Sequence, residues 1–437
     1  MHPSLLASAI ALGLLSTSLP ALSQNNQGFV EGASATLGLR NFYFNQDNRS
    51  GVAAPSKTEE WGQGFVLNLQ SGYTAGPVGF GLDALGQVGI RLDSGGRAGK
   101  AGRNRNPGAL FPLEDDGSAV SNFSRIDFTG KARISNTELR AGTLQPKLPV
   151  LSFNDGRLLP QTFRGAQLTS REVSGLTLHL GQIEKAKGRA STDYQELTIA
   201  GGTERVDQFR FAGGDYRLTD NLTTRYYFAE LEDYYRQHFL GLVSNINLGK
   251  GKLHTDLRAF DSSAHGANDD RTAGYGAAGF ENNCEVDNRA LSALFTYDLS
   301  GHSLGLGYQH LSGNSNFPFI NNGDGATAYL ITDSQLGKFQ RAGEKTWLAR
   351  YAYDFANAGI PGLKATATYL RGDDVDTAVA GADHEWERDL RVDYRVQDGW
   401  LKNLDLSLRH ASLRSDVVNQ RDQDELRAIV SYTFTLL

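Results

Sequence analysis

One cysteine, one methionine and 11 prolines in 437 residues exclude several architectures at once. Cys284 has no second thiol to pair with, so no disulfide framework holds this chain. Outside the N-terminal segment no stretch approaches 18 apolar residues, and mean hydropathy is -0.39, which excludes a helical membrane protein. Charge of one sign is also lacking: 43 Lys and Arg against 49 Asp and Glu give a net charge of -6, unlike a general nucleic-acid binder. Apolar residues are not scarce, however. At 40% hydrophobic and 10% aromatic the chain can bury a core, which excludes a disordered one. Catalytic and cofactor signatures are missing too: there is no His-Glu-x-x-His, Cys-x-x-Cys or Gly-x-Ser-x-Gly. Residues 95–101 resemble a phosphate loop only superficially. Ser94 stands where its first glycine belongs and Ala101 where a hydroxyl would hold magnesium. The sequence therefore predicts no enzyme, no metal and no cofactor.

What is present is glycine, 50 residues, and tyrosine, 17, distributed in a repeating pattern. Residues 5–15 form an apolar stretch too short to span a bilayer but of signal-peptide size, followed by Ala21-Leu22-Ser23 as a cleavage site. Residues 1–23 are read as a signal peptide and 24–437 as one domain. Beyond it, period-two alternation recurs. Ala35, Leu37 and Leu39 oppose Thr36, Gly38 and Arg40. Phe80, Leu82, Val88, Ile90 and Leu92 oppose Gly81, Asp83, Gln87 and Arg91. Leu404, Leu406 and Leu408 oppose Asp405, Ser407 and Arg409. Eight short turns rich in Gly, Asn and Asp, such as Ser135-Asn136 and Ser300-Gly301, alternate with nine outer connections, several of them long and polar. That asymmetry predicts an all-β fold: a transmembrane antiparallel β-barrel of about 18 strands, with short periplasmic turns and long extracellular loops. Tyr73, Tyr226, Tyr227, Tyr351, Tyr353, Tyr394 and Tyr432 are read as interfacial girdles. Cys284 falls in an outer loop.

Several stretches carry a family likeness in chain order: Leu39-Arg40-Asn41-Phe42-Tyr43-Phe44-Asn45, Val78-Gly79-Phe80-Gly81-Leu82-Asp83-Ala84, Leu144-Gln145-Pro146, Arg157-Leu158-Leu159-Pro160-Gln161-Thr162, Ala229-Glu230-Leu231-Glu232-Asp233-Tyr234-Tyr235, and Gly343-Glu344-Lys345-Thr346-Trp347. With them the chain resembles the OprD-like outer-membrane porins, substrate-specific carboxylate channels of Gram-negative bacteria. The resemblance implies a location in the outer membrane, insertion by the barrel-assembly machinery, a monomer or loose homotrimer, and a third loop folded into the lumen, here residues 146–162. It also implies a lumen ladder of basic residues that conducts small carboxylates such as organic acids or amino acids.

Arg40, Arg350 and Arg409 stand at places that match the family pattern. Parity within each strand extends the predicted ladder to Arg40, Arg133, Arg350, Lys364, Arg391, Arg395, Arg409 and Arg427, with Arg427 placed outermost and Lys364 and Arg395 toward the periplasm. For any one of these, the competing expectation is an ion pair with a lumen acid such as Asp354, Asp393 or Asp405. Asp155, Arg157 and Gln161 are the expected constriction residues, and Asp324 and Asp333 offer further loop selectivity. Three features depart from the family: Ser407 stands where relatives can carry arginine, Asp393 lies between Arg391 and Arg395, and Leu436-Leu437 replaces a terminal aromatic, leaving Phe434 as the candidate assembly signal. Arg97, Lys100, Arg103 and Arg105 form a basic run suited to lipopolysaccharide or to solvent. A general diffusion porin, a barrel receptor or adhesin, and an outer-membrane hydrolase are the competing functions.

Overall fold

The computed structural model describes residues 28–50, 56–99, 105–281, 283–322, 327–377, 381, 383–417 and 420–437. The signal-peptide reading, Lys100, Arg103 and Asp324 lie outside the described residues. Eighteen strands make the wall: β1 (Ser34–Asn48), β2 (Ser56–Gln70), β3 (Val78–Ser94), β4 (Asn122–Ile134), β5 (Thr137–Leu144), β6 (Thr162–Ser170), β7 (Leu176–Lys187), β8 (Phe209–Thr219) and β9 (Leu222–Leu231) form the first half. The second comprises β10 (Tyr235–Leu248), β11 (Gly251–Ala264), β12 (Asp287–Leu299), β13 (His302–Ser312), β14 (Lys345–Asp354), β15 (Leu363–Asp373), β16 (Glu385–Arg395), β17 (Asp405–Ser415) and β18 (Gln423–Thr435). Each strand pairs antiparallel with the next, and β18 closes on β1 from Thr36↔Thr435 to Asn48↔Gln423. Closure satisfies the backbone without leaving an edge, which hydrocarbon demands because it offers no hydrogen bonds.

Burial is inverted relative to a soluble core. Phe80 and Leu82 are 57% and 51% exposed, whereas Asp83 and Gln87 of the same strand are 7% and 0% exposed. The alternation seen in sequence therefore separates a lipid face from a polar interior. Tight turns close one end. At Ser300-Gly301 both residues have positive φ, 50° and 86°, the primed hairpin geometry that matches strand twist. The girdle expectation holds for Tyr226 and Tyr351, which are exposed, but not for two others. Tyr227 faces inward and donates to Asp215 at 3.2 Å, and Tyr73 turns into the lumen, donating to Glu138 beneath Arg133, whose guanidinium lies 4.3 Å from its ring. Burial and the Glu138 carboxylate push the Tyr73 phenol up.

The outer loops fold together instead of waving free. Leu197, Ile199, Val206, Tyr234, Val286, Phe317 and Ile320, drawn from four connections, share one apolar cluster with Cys284. Cys284 is thus on the predicted side but buried, its Sγ donating to the Glu281 carbonyl at 2.6 Å. The basic run is neutralised where described: Arg97 pairs with Asp116 at 2.8 Å, and Arg105 with Asp93 at 2.6 Å and Glu59 at 3.1 Å.

Candidate functional site

Two outer loops enter the lumen and divide it. The first, residues 145–161, leaves β5 and reaches β1 and β18. Arg40 on β1 grips its tip, with Nη1 to Asp155 Oδ1 at 2.7 Å, Nη2 to Asp155 Oδ2 at 3.0 Å and Nη1 to the Arg157 carbonyl at 2.7 Å. The Arg157 guanidinium lies 4.5 Å from the Phe44 ring and 3.8 Å from Glu425. Behind the tip, Leu158 is fully buried against β2, and a Cβ at Gly64 would come within 2.9 Å of the Leu158 carbonyl oxygen. Glycine there lets the loop lie flat on the wall.

The second, described over residues 313–322 and 327–344, crosses from one wall to the other. At one side the Tyr329 hydroxyl accepts from Arg225 Nη1 at 2.9 Å and its carbonyl from Arg258 Nη1 at 3.0 Å, with the Arg258 guanidinium 4.0 Å from the ring. At the other, Glu387 accepts from Leu336 N at 2.9 Å, Gly337 N at 2.6 Å and Ser334 Oγ at 2.8 Å, while Gln335 Nε2 donates to Glu425 at 3.0 Å. β9 and β16, like β11 and β18, stand seven places apart among eighteen, so residues 329–337 span most of the pore. A bridge between Ser152 and Thr327 joins the two loops, and Arg427 donates to both, to the Gly156 carbonyl at 3.4 Å and the Gln335 carbonyl at 3.0 Å.

Against this frame the predicted ladder divides into two kinds of cation. Antiparallel register sets Arg391 opposite Arg409, and Arg409 opposite Arg427. Arg427 is therefore level with Arg409 rather than outermost, because depth depends on register, which parity alone does not supply. Arg391 is paired with Asp393 at 2.5 Å, Arg427 with Glu425, and Arg395 with Asp405 at 2.7 Å. Among the described residues Arg409 donates only to Ser407 Oγ at 3.0 Å, and Arg350 only to Thr368 Oγ1 at 3.3 Å. Among the described residues no carboxylate lies within 4.0 Å of the charge on Arg350, Lys364 or Arg409.

Other expected residues serve the scaffold. Gln161 is buried, and its Oε1 accepts from Asn154 N at 3.1 Å, so it braces the loop rather than facing a solute. Asp333 accepts from Lys338 Nζ at 2.8 Å and Ala328 N at 3.0 Å inside its own loop. Sequence reasoning missed the opposite wall: Arg125, Lys187, Arg225 and Arg258. Arg125 donates to Gly188 and Ser191 carbonyls at 2.7 and 2.8 Å, and Lys187 pairs with Asp127 at 2.8 Å. The same period-two parity marks them, since Phe123, Arg125 and Asp127 are buried in alternation with exposed Ser124, Ile126 and Phe128.

Known proteins match this architecture along nearly its whole length. A family described as outer membrane porin, OprD family, matches residues 27–436. The porin-like protein GalP of Pseudomonas putida is 38% identical over 425 residues, 97% of each chain. The crystal structure of Pseudomonas aeruginosa OccK8 (OprE) superposes with a TM-score of 0.87 at 52% identity, covering 94% of this chain and 100% of that one. That of Pseudomonas aeruginosa OpdK with vanillate gives 0.82 at 35% identity, covering 93% and 100%.

Proposed function

The chain belongs to the OprD family of outer-membrane porins, and from that premise we propose that its lumen conducts small carboxylate-bearing solutes along Arg350, Arg409 and Lys364. The observation that carries the reading is the isolation of Arg409. It stands between two other arginines in cross-strand register, yet the acids nearby are committed elsewhere, Asp393 to Arg391 and Glu425 to Arg427. An uncompensated guanidinium in a narrow, partly desolvated passage attracts anions, because a unit charge pair at about 4 Å is worth roughly 4 kcal/mol at an effective dielectric near 20. Arginine also matches the geometry of a carboxylate with two parallel donors. Neighbouring sites at Arg350 and Lys364 let the solute be handed on instead of trapped. The vanillate bound in the related OpdK crystal structure is itself a carboxylate, which supports the class without naming this channel's own solute.

The test replaces Arg350, Lys364 and Arg409 together with Gln, keeping polarity and approximate size. In reconstituted liposomes, benzoate uptake falls strongly, while a neutral sugar of similar size passes at nearly the native rate. Native benzoate uptake by the triple variant rejects the reading in favour of a general diffusion porin. The native preference also weakens with salt, as the Debye length shrinks from about 10 Å at 0.1 M to about 3 Å at 1 M.

A further inference from the structure

The outward face of β14 to β17 carries charge where the lipid-facing wall should be apolar. Near the outer rim the register sets Trp347 beside Arg371, Arg371 beside Trp386, and Trp386 beside Arg414. Aromatic and guanidinium groups thus alternate across four strands. The two arginines of this row are satisfied: Arg371 donates to both oxygens of Asp373, and Arg414 Nη2 to Asp424 at 3.0 and 3.1 Å.

One step deeper the next row reads Ala349, Tyr369, Arg388, Ser412. Arg388 is exposed and shares its face with Leu390 and Val392, which are 44% and 45% exposed. Its neighbours Glu387 and Asp389 point the other way and are occupied by the N–H groups of the crossing loop. Among the described residues Arg388 makes no ion pair or side-chain hydrogen bond.

Its depth makes that vacancy informative. Tryptophan marks the membrane–water interface, and two residues along a strand from Trp386 amount to about 7 Å of strand, or about 5 Å toward the bilayer centre at a barrel strand's tilt of about 40°. A lipid-facing arginine costs roughly 2–4 kcal/mol at the midplane and about 0–1 near the interface, so Arg388 is tolerable only if its head reaches polar groups at the lipid headgroup level. Guanidinium prefers phosphate oxygens there, which it binds with two parallel donors. The rings of Trp386 and Tyr369, stacked with centroids 6.1 Å apart, offer a flat amphipathic platform beside it. Below, Ala365 and Ala367 lie between the bulkier Tyr353 and Tyr351 on one side and Val392 and Leu390 on the other, a strip of small side chains between taller ones.

We propose that this face binds a phosphorylated glycolipid of the outer leaflet, with a phosphate monoester on Arg388, the sugar on Trp386 and Tyr369, and an acyl chain along Ala367 and Ala365. The site is separate from the lumen and rests only on the barrel's place in the membrane.

The test titrates the purified full-length barrel in detergent with bisphosphorylated lipid A and with its dephosphorylated counterpart, counting retained lipids by native mass spectrometry. The native protein retains the phosphorylated form roughly tenfold better, the scale of one charged hydrogen-bonding contact. Arg388→Gln removes that preference, and Arg388→Lys, which keeps charge without the bidentate fork, falls between. Unchanged single-channel conductance and heat-modifiable migration establish that both variants are folded. Two results overturn the proposal: equal retention of both lipids by the native protein, or a native preference that survives in Arg388→Gln.

Discussion

Replacing Arg40 with Gln separates two things its side chain does at once. It holds the tip of the first inward loop, and it neutralises Asp155 at the constriction. Hydrogen bonds to charged groups contribute about 1.5–3 kcal/mol each. Arg40 and Asp155 are 14% and 28% exposed at their side chains, so screening favours the low end. A loss of about 2 kcal/mol corresponds to roughly thirtyfold in the docked-to-undocked ratio of the tip. The loop base stays in place, since Leu158 remains against Gly62 and Gly64. The electrostatic effect is independent of that motion. An unpaired Asp155 about 8 Å from a passing carboxylate repels it by roughly 0.5–2 kcal/mol across effective dielectrics of about 80 to 20. The expected outcome in planar bilayers is a lower anion-to-cation permeability ratio from reversal potentials, together with increased open-channel noise. Arg40→Gln combined with Asp155→Asn removes both charges, so anion preference returns to near native while the noise stays high. An Arg40→Gln channel with native reversal potential would refute the reasoning, because it would place Asp155 outside the conducting path.

Three further outcomes follow from the same geometry. Asp393→Asn releases Arg391 beside Arg409 and raises anion selectivity, read as a reversal-potential shift opposite to that of Arg40→Gln; no shift means Arg391 does not face the solute. Cys284 is extracellular but buried, and burial pushes its thiol up, so a membrane-impermeant maleimide labels intact cells slowly and urea-treated cells quickly; labelling from the periplasm alone inverts the topology. Glu344, where the crossing loop meets β14, is pushed up to about 8 from its ordinary 4.5 by burial and then by Glu385. With the folded pKa above the unfolded one, its contribution to stability is full below about 4.5 and is lost as pH rises through about 8. Protease cleavage within residues 327–344 therefore accelerates as pH rises from about 5 toward about 8 and levels off above that, and Glu344→Gln abolishes that acceleration; an equal acceleration in the variant places the sensitive group elsewhere.

The sequence by itself determined the barrel, the number of strands and the side on which each connection lies. Those properties follow from local signals: period-two alternation assigns each residue to the lipid or the lumen, and glycine with short polar residues marks tight turns. It also determined that Arg40, Arg350, Arg391 and Arg409 point inward. Parity could equally have found Arg125 and Arg258, and it failed for Tyr73 only because a turn folds back into the lumen. The tertiary structure alone decided which cations are free. Arg40 meets Asp155 across 115 residues and Arg427 meets Gly156 across 271, and no local pattern encodes such contacts. Register decided that Arg391, Arg409 and Arg427 are level, and it set Trp386 and Arg371 side by side on the lipid face. A strand's alternation is fixed by its own backbone, whereas the height at which its neighbour pairs with it is fixed by closing all eighteen strands into one ring.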